Sequence, residues 1–317
     1  MNTMLRANPS VNARKPFENM VRSFRRSKYL LLLALPALIW YGVFSYGPMY
    51  GIQIAFKNYV FRNGIWGSPW VGFQHYQQFF RYADFWNAVR NTLTISLSKI
   101  AISFPISITL AILLNEVMRV RLRRVFQTIY TFPHFISWVI VYALFYTIIS
   151  GEGLINLIRA SAGRQSIDFL TNPGNFFGVL MFTEVWKTMG WSSIIYCAAI
   201  TNINPEVMEA AMVDGANRFQ RILYITLPEL SGTIVVLLIL AIGGSMNAGF
   251  DQIFNFYNPV VYPTADIIDT YVYRMSFELA AGLSLSTAVG LFKSVINFAL
   301  LFGADRLAKA IGQAGVY

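Results

Sequence analysis

Long apolar stretches separated by short polar and basic segments set the pattern of this chain. A helix crosses a bilayer with about 20 mostly apolar residues. Six stretches meet that length: 29–46, about 91–114, 126–150, 176–201, 230–250 and 282–304. The first carries no charge, the second holds Lys99 and Pro105, the fourth Glu184 and Lys187, and the sixth Lys293. The pattern predicts an all-α membrane protein, a six-transmembrane-helix bundle. A basic tail over 1–28 leads into a membrane domain over 29–304, and a short tail over 305–317 closes the chain. The first stretch follows basic residues as a signal peptide would. Its apolar run is longer than a signal core and no small-residue cleavage site follows, so it reads as a retained helix.

Composition sharpens that picture. Hydrophobic residues make up 56% of the 317 and charged residues 13%, against about 45–50% and about 25% in soluble domains. Disorder is excluded, because it needs low hydrophobicity. The single cysteine, Cys197, excludes an intramolecular disulfide framework, and two histidines, His75 and His134, argue against a metal site.

The formal charge of +10 is a topology signal rather than a nucleic-acid footprint, since no compact basic domain carries it. Seven Lys and Arg precede the first stretch. Arg119, Arg121, Arg123 and Arg124 follow the second, Arg218 and Arg221 the fourth, and Arg306 and Lys309 the sixth. That side holds fifteen, the other seven: Lys57, Arg62, Arg81, Arg90, Arg159, Arg164 and Arg274. Both termini are therefore expected in the cytoplasm. Intramembrane charges are costly and face a bundle interior. Glu184 and Lys187, three apart, share a helix face and are expected to pair. Pro105 and Pro133 interrupt two spans, either as breaks in a transport bundle or as ordinary kinks.

The loop over 202–229 is the informative segment. Asn204 suits an N-cap and Pro205 the first helical position. Glu206 and Glu209 sit where the helix dipole favours negative charge, and Gly215 suits a left-handed helix end. Val207, Met208, Ala211 and Met212 form an apolar stripe. A second helical stretch carries Phe219, Ile222 and Leu223 and closes before Pro228. Basic residues would mark an interfacial helix lying on lipid; the first helix is acidic, which points to a protein partner.

Glu209-Ala210-Ala211, Gly215, Ile225 and Leu227-Pro228, at their spacing, resemble the EAA loop of type I ABC importer permeases. The blocks at 46–51, 66–73, 132–138, 190–196 and 269–274 resemble the polysaccharide-type permeases of the carbohydrate uptake group. The resemblance implies a bundle of the type I ABC importer kind. Its loop 202–229 would be a coupling helix docked on an ATP-binding subunit, with Glu209, Ala210, Ala211 and Gly215 at the contact, and Glu206, Met212, Asp214, Ile225, Leu227 and Pro228 completing it. It further implies a second homologous permease, two ATP-binding subunits and an extracytoplasmic solute-binding protein. The chain lacks a phosphate-binding loop, so no cofactor is expected in it. ATP and magnesium belong to the partner ATPase, membrane lipid surrounds the bundle and no nucleic acid is involved.

For the substrate, an oligosaccharide by that resemblance, Asn247, Asp251, Gln252 and Asn255 offer hydrogen-bonding groups. Trp138, Tyr142, Trp191 and Phe250 offer aromatic faces that also suit an interfacial belt. Alternatives are an ion-coupled secondary transporter, disfavoured by the lack of internal repeats and the near absence of intramembrane acids besides Glu184, a membrane assembly subunit, and ABC import of another small polar solute.

Overall fold

The computed structural model describes residues 28–278, 282–310 and 312. It divides into two units, 1–53 and 54–317. In the first, helix α1 (Lys28–Tyr41) is apolar on every side and buries none of its side chains. Such a helix suits lipid or another chain as its surroundings. A π-helical turn, Gly42–Tyr46, follows.

The second unit is helical, with one isolated bridge, Lys57 to Trp70, among the described residues. Helix α2 (Ala83–Asn115) starts before the expected 91 because Asp84 and Phe85 already belong to its first turn. Pro105 lies inside α2 without ending it. Pro133 acts differently. The stretch expected as one span over 126–150 is two helices, α3 (Val120–Thr131) and α4 (Trp138–Ile149), joined by a 3-10 turn, Phe132–Phe135. Proline offers no N–H to continue a helix. Ile136 is extended, and the Ser137 hydroxyl accepts from Ile140 N at 3.4 Å to start α4. The apolar stretch long enough to span is instead Trp138–Ser161, which adds helix α5 (Leu154–Ser161).

Helix α6 (Pro173–Thr201) begins where Asn172 accepts from Gly174 N and Asn175 N and Pro173 takes the first position. The loop beyond it holds α7 (Pro205–Val213) and α8 (Arg218–Arg221), and a π-helical turn carries α8 into α9 (Leu227–Gly243). α9 stops at Gly243, before the expected 250; a 3-10 turn, Ser245–Asn247, follows, and Ala248 (φ 44°) and Gly249 (φ 85°) are left-handed. Helix α10 (Phe250–Phe256) restarts beyond them. α11 (Ile268–Tyr273) and α12 (Leu283–Ala310) complete the chain, and α12 runs on past 304.

Among the described residues, five stretches are long and apolar enough to cross a membrane: Lys28–Phe56, Ala83–Asn115, Trp138–Ser161, Arg218–Gly243 and Leu283–Ala310. α6 has 29 residues, about 43 Å at 1.5 Å per residue. It carries Thr183, Glu184, Lys187 and Thr188 at its centre and is not among the five.

α6 is the central post. Phe176, Leu180, Thr183, Lys187, Gly190 and Ser193 are buried along one face at three- and four-residue spacing. One core cluster joins Val141 and Phe145 of α4, Leu180 of α6 and Ile253 and Phe256 of α10. A second joins Phe79, Phe85, Val89, Ile268, Leu285 and Val289. A third joins Ala111, Tyr196, Ile200 and Leu230 at the other end. At Gly190 the backbones of α3 and α6 meet: a Cβ there would lie 2.0 Å from the Tyr130 carbonyl oxygen. Gly190→Ala is therefore expected to push α3 off α6, at a cost of roughly 1–3 kcal/mol for overpacking. Thermal melting of the purified protein checks this, and an unshifted midpoint would contradict the contact.

Candidate functional site

The loop over 202–229 is built as its residues dictate. Asn204 Oδ1 accepts from Glu206 N at 3.0 Å and caps α7, with Pro205 at its first position. At the other end Gly215 N donates to Met212 O at 3.1 Å and Ala216 N to Ala211 O at 2.9 Å, with Gly215 at φ +79°. This pair of bonds around a left-handed residue is the Schellman closure. One residue later a second cap begins. Asn217 N donates to Gln220 Oε1 at 2.8 Å and Gln220 N to Asn217 Oδ1 at 2.9 Å, a reciprocal capping box. Sequence reading missed this box, although Asn followed three residues on by Gln was its signal. Both turns are thus locked by hydrogen bonds, and α8 passes into α9 through the π-helical turn Ile222–Thr226.

α7 buries no residue. Glu206, Glu209, Ala210, Met212 and Asp214 are exposed and Ala211 is half-buried, whereas Ile225 and Leu227 turn partly inward and Pro228 is exposed. Arg218 reaches Glu116, at the end of α2, at 3.8 Å. Nothing lies within 4 Å of a Cβ built on Gly215, so a substitution there acts through the backbone alone. Gly215→Val is expected to cost about 1–3 kcal/mol of local strain and to lower the melting midpoint. Gly215→Asn, which tolerates the left-handed region, keeps most of the stability. Equal melting midpoints for the two variants would contradict this reading.

Lys99 and Glu184 meet at the break between α9 and α10. Lys99 Nζ of α2 lies 3.0 Å from Glu184 Oε2 of α6, donates to Ala248 O at 2.9 Å and reaches Gln252 Oε1 at 2.5 Å. Gln252 Nε2 donates to Leu180 O and to Thr183 Oγ1, at 2.7 and 2.8 Å. A Cβ on Gly249 would stand 2.5 Å from Lys99 Nζ, so glycine admits the ammonium as well as the turn.

The expected pairing of Glu184 with Lys187 is corrected. Lys187 donates to the carbonyls of Pro133, His134 and Ile136 at 3.3, 2.7 and 2.5 Å. Those carbonyls lie in the turn between α3 and α4, where Pro133 O also accepts from Ile136 N at 3.2 Å, and together they hold the ammonium while Glu184 faces Lys99. Lys293 pairs with Asp269 at 2.6 Å.

The residues expected along a substrate path fall in several places. Trp138 and Tyr142 meet Phe256 edge to face, at 6.5 and 5.1 Å between centroids. Trp191 lies flat on His134 at 4.5 Å with 3° between planes. Phe250 stacks on Phe254. Asn247 and Asp251 are exposed, Asn255 donates to Asp251 O at 2.7 Å, and Gln252 is fully buried in the Lys99 network.

Residues 103–313 match the family of binding-protein-dependent transport system inner membrane components. The chain belongs to this family. As such an inner membrane component it is also similar over nearly its whole length to two Bacillus subtilis (strain 168) proteins. Protein LplB is 42% identical over 93% of each chain. The polygalacturonan/rhamnogalacturonan transport system permease protein YteP is 42% identical over 92% of this chain and 91% of that protein. A crystal structure of a bacterial ABC transporter that imports the acidic polysaccharide alginate contains a chain with TM-score 0.84 and 38% identity, over 92% of this chain and 99% of that one. The alginate transporter in complex with its alginate pentasaccharide-bound periplasmic protein gives the same score over 93% and 99%. The family residues begin inside α2 and run through the capped loop to the end of α12.

Proposed function

We propose that this chain is one half of the membrane pathway of an ATP-driven sugar importer, working by alternating access. The observation that carries the proposal is the loop over 202–229: an exposed acidic helix, capped at both ends, joined through a second cap to α9. A force applied to α7 by a neighbouring subunit passes into the bundle without a flexible joint. Glu206, Glu209, Ala210, Ala211, Met212, Asp214 and Gly215 form that contact, and Ile225, Leu227 and Pro228 anchor it to α9. Two ATP-binding subunits supply hydrolysis with their own ATP and magnesium, a second homologous permease completes the pathway, and an extracytoplasmic protein delivers the solute.

In this reading α6 is a sixth span. Its central polar residues are tolerated because they face α2, α10 and the carbonyls at Pro133 rather than lipid. The arginines at 119–124 and 218–221 and both termini face the cytoplasm. An oligosaccharide is the cargo. Support comes from two relatives, a polygalacturonan/rhamnogalacturonan transport system permease and an alginate importer. Trp138, Tyr142, Trp191, Asn247, Phe250, Asp251, Gln252 and Asn255 remain the proposed path, with Gln252 shaping its wall from within.

The test is purification from native membranes in mild detergent with mass spectrometry of what accompanies the chain. A second permease and an ATP-binding subunit are expected. A stable, transport-competent preparation containing neither would overturn the proposal.

A further inference from the structure

Helix α3 is turned inside out. Leu122, Val125, Phe126 and Ile129 are exposed, whereas Arg123, Gln127, Tyr130 and Thr131, which share another face at helical spacing, are half-buried. That half-buried face meets α6, because the Tyr130 carbonyl lies against Gly190. A helix on a soluble core buries its apolar stripe and leaves its charges in water. In α3 the apolar stripe suits lipid, and the polar face turns toward the bundle. It spends little of its hydrogen-bonding capacity there. The Arg123 guanidinium forms no ion pair among the described residues. Thr131 Oγ1 is buried with no hydrogen-bond partner among them. Buried polar groups usually have one.

Two adjoining hollows run along this face. One, of 260 Å³, lies between α3 and the ends of α2 and α6, with Asn115, Arg123, Gln127 and Thr201 in its wall. The other, of 430 Å³, has Arg124, Gln127 and Thr131. Gln127 and Ile194 belong to both. No carboxylate lines either hollow, and Glu116, just beyond Asn115, faces Arg218 at 3.8 Å. Two arginines and two amides without a carboxylate suit an anion that carries several acceptor oxygens. Phosphate is the anion that arginine grips with parallel N–H bonds. The second hollow also has an apolar rim: Phe132 and Phe135 line it and are exposed. A charged pocket that opens onto apolar side chains beside a lipid-facing stripe matches a headgroup with its acyl chains, and basic pockets between membrane helices hold such headgroups.

We propose that the seam between α3 and α6 binds the phosphate of an anionic phospholipid. Arg123 and Gln127 hold the phosphate, Arg124 adds charge from the second hollow, and the acyl chains lie along Phe132 and Phe135. The leaflet is the cytoplasmic one if the arginines at 119–124 face that side as proposed above; the site itself depends on neither the cargo nor the ATPase. Free phosphate offers the same oxygens, and the test separates the two sources. Cys197 lines the first hollow, so its thiol reports whether the seam is filled.

The test uses the full chain with whatever subunits purify with it, in neutral detergent. The probes are phosphatidylglycerol, phosphatidylcholine and inorganic phosphate. Binding is read by native mass spectrometry and thermal melting, and alkylation of Cys197 by N-ethylmaleimide is followed on its own peptide. Phosphatidylglycerol, and not phosphatidylcholine, is expected to stay bound, to raise the melting midpoint and to slow the alkylation. Arg123→Gln is expected to weaken that binding about 10- to 100-fold, as loss of a hydrogen bond to a charged group does. Its lipid-free midpoint stays level or rises, because the guanidinium has no ion pair to lose among the described residues. Arg121→Gln removes the same charge from an exposed position that lines neither hollow and leaves binding nearly unchanged. Equal losses in the two variants would overturn the site, since they would mean attraction to surface charge alone. Equal binding of the two lipids with no effect of inorganic phosphate would overturn it as well. Protection of Cys197 by inorganic phosphate alone, lost in Arg123→Gln, would keep the phosphate site and overturn the lipid as its source. No transport is measured, so failure of this site and failure of the import reading are separate results.

Discussion

Glu209→Lys is expected to reduce ATP-driven uptake at least tenfold while the membrane bundle stays folded. Glu209 is exposed on α7 and forms no ion pair within the described residues. The caps of α7 lie at Asn204 and at Ala211 to Ala216, so reversing this charge breaks none of their hydrogen bonds. The loss falls on the partner contact. Removing one member of a desolvated charge pair at an interface costs about 2–5 kcal/mol, and a reversed charge adds repulsion. The measurement pairs uptake in liposomes with recovery of the ATP-binding subunit on the purified permease. Normal uptake and normal recovery together would contradict the docking role of α7.

Lys99→Met is expected to have the second large effect, on stability. The lysine holds Glu184, Ala248 O and Gln252 Oε1 at once, and its side chain is 10% exposed. Methionine removes the ammonium and leaves a mostly buried carboxylate beside an unpaired carbonyl. Breaking a buried pair from one side costs about 3–5 kcal/mol. A lower melting midpoint and faster proteolysis between α9 and α10 are expected. Because replacing both members by apolar groups is often close to neutral, Lys99→Met with Glu184→Met should recover much of the loss. A double variant as unstable as the single one would contradict a role in charge pairing.

The capped loop was legible because every signal in it is local. Asn204, Pro205 and Gly215 each act within a few residues, and the structure puts them where that chemistry requires. Four of the six expected apolar stretches were legible for the same reason, overlapping Lys28–Phe56, Ala83–Asn115, Arg218–Gly243 and Leu283–Ala310. Two prolines show where local reading ends. Pro105 stays inside a continuous α2, while Pro133 ends α3 and opens a turn. The difference lies in what waits nearby: the carbonyls of the turn that Pro133 opens meet Lys187, which arrives from a helix more than fifty residues away. The pairing of Glu184 was misread on the same principle. Helical spacing brings Lys187 within reach, but the partner is decided by which helix packs on which side of α6, and that is tertiary information. The inward polar face of α3 was invisible too, since Arg123 reads locally as one more topology charge and the helix it packs on is set by the fold.

The most direct measurement is uptake by liposomes holding the purified complex, with its binding protein and labelled oligosaccharide outside. One set has ATP and magnesium trapped on the side of the ATP-binding subunits, and a second has only a proton or sodium gradient. Uptake in the first set that vanishes when ATP is replaced by a non-hydrolysable analogue, and no uptake in the second, is the expected result. Uptake driven by the ion gradient without ATP would contradict the coupling of α7 to an ATPase.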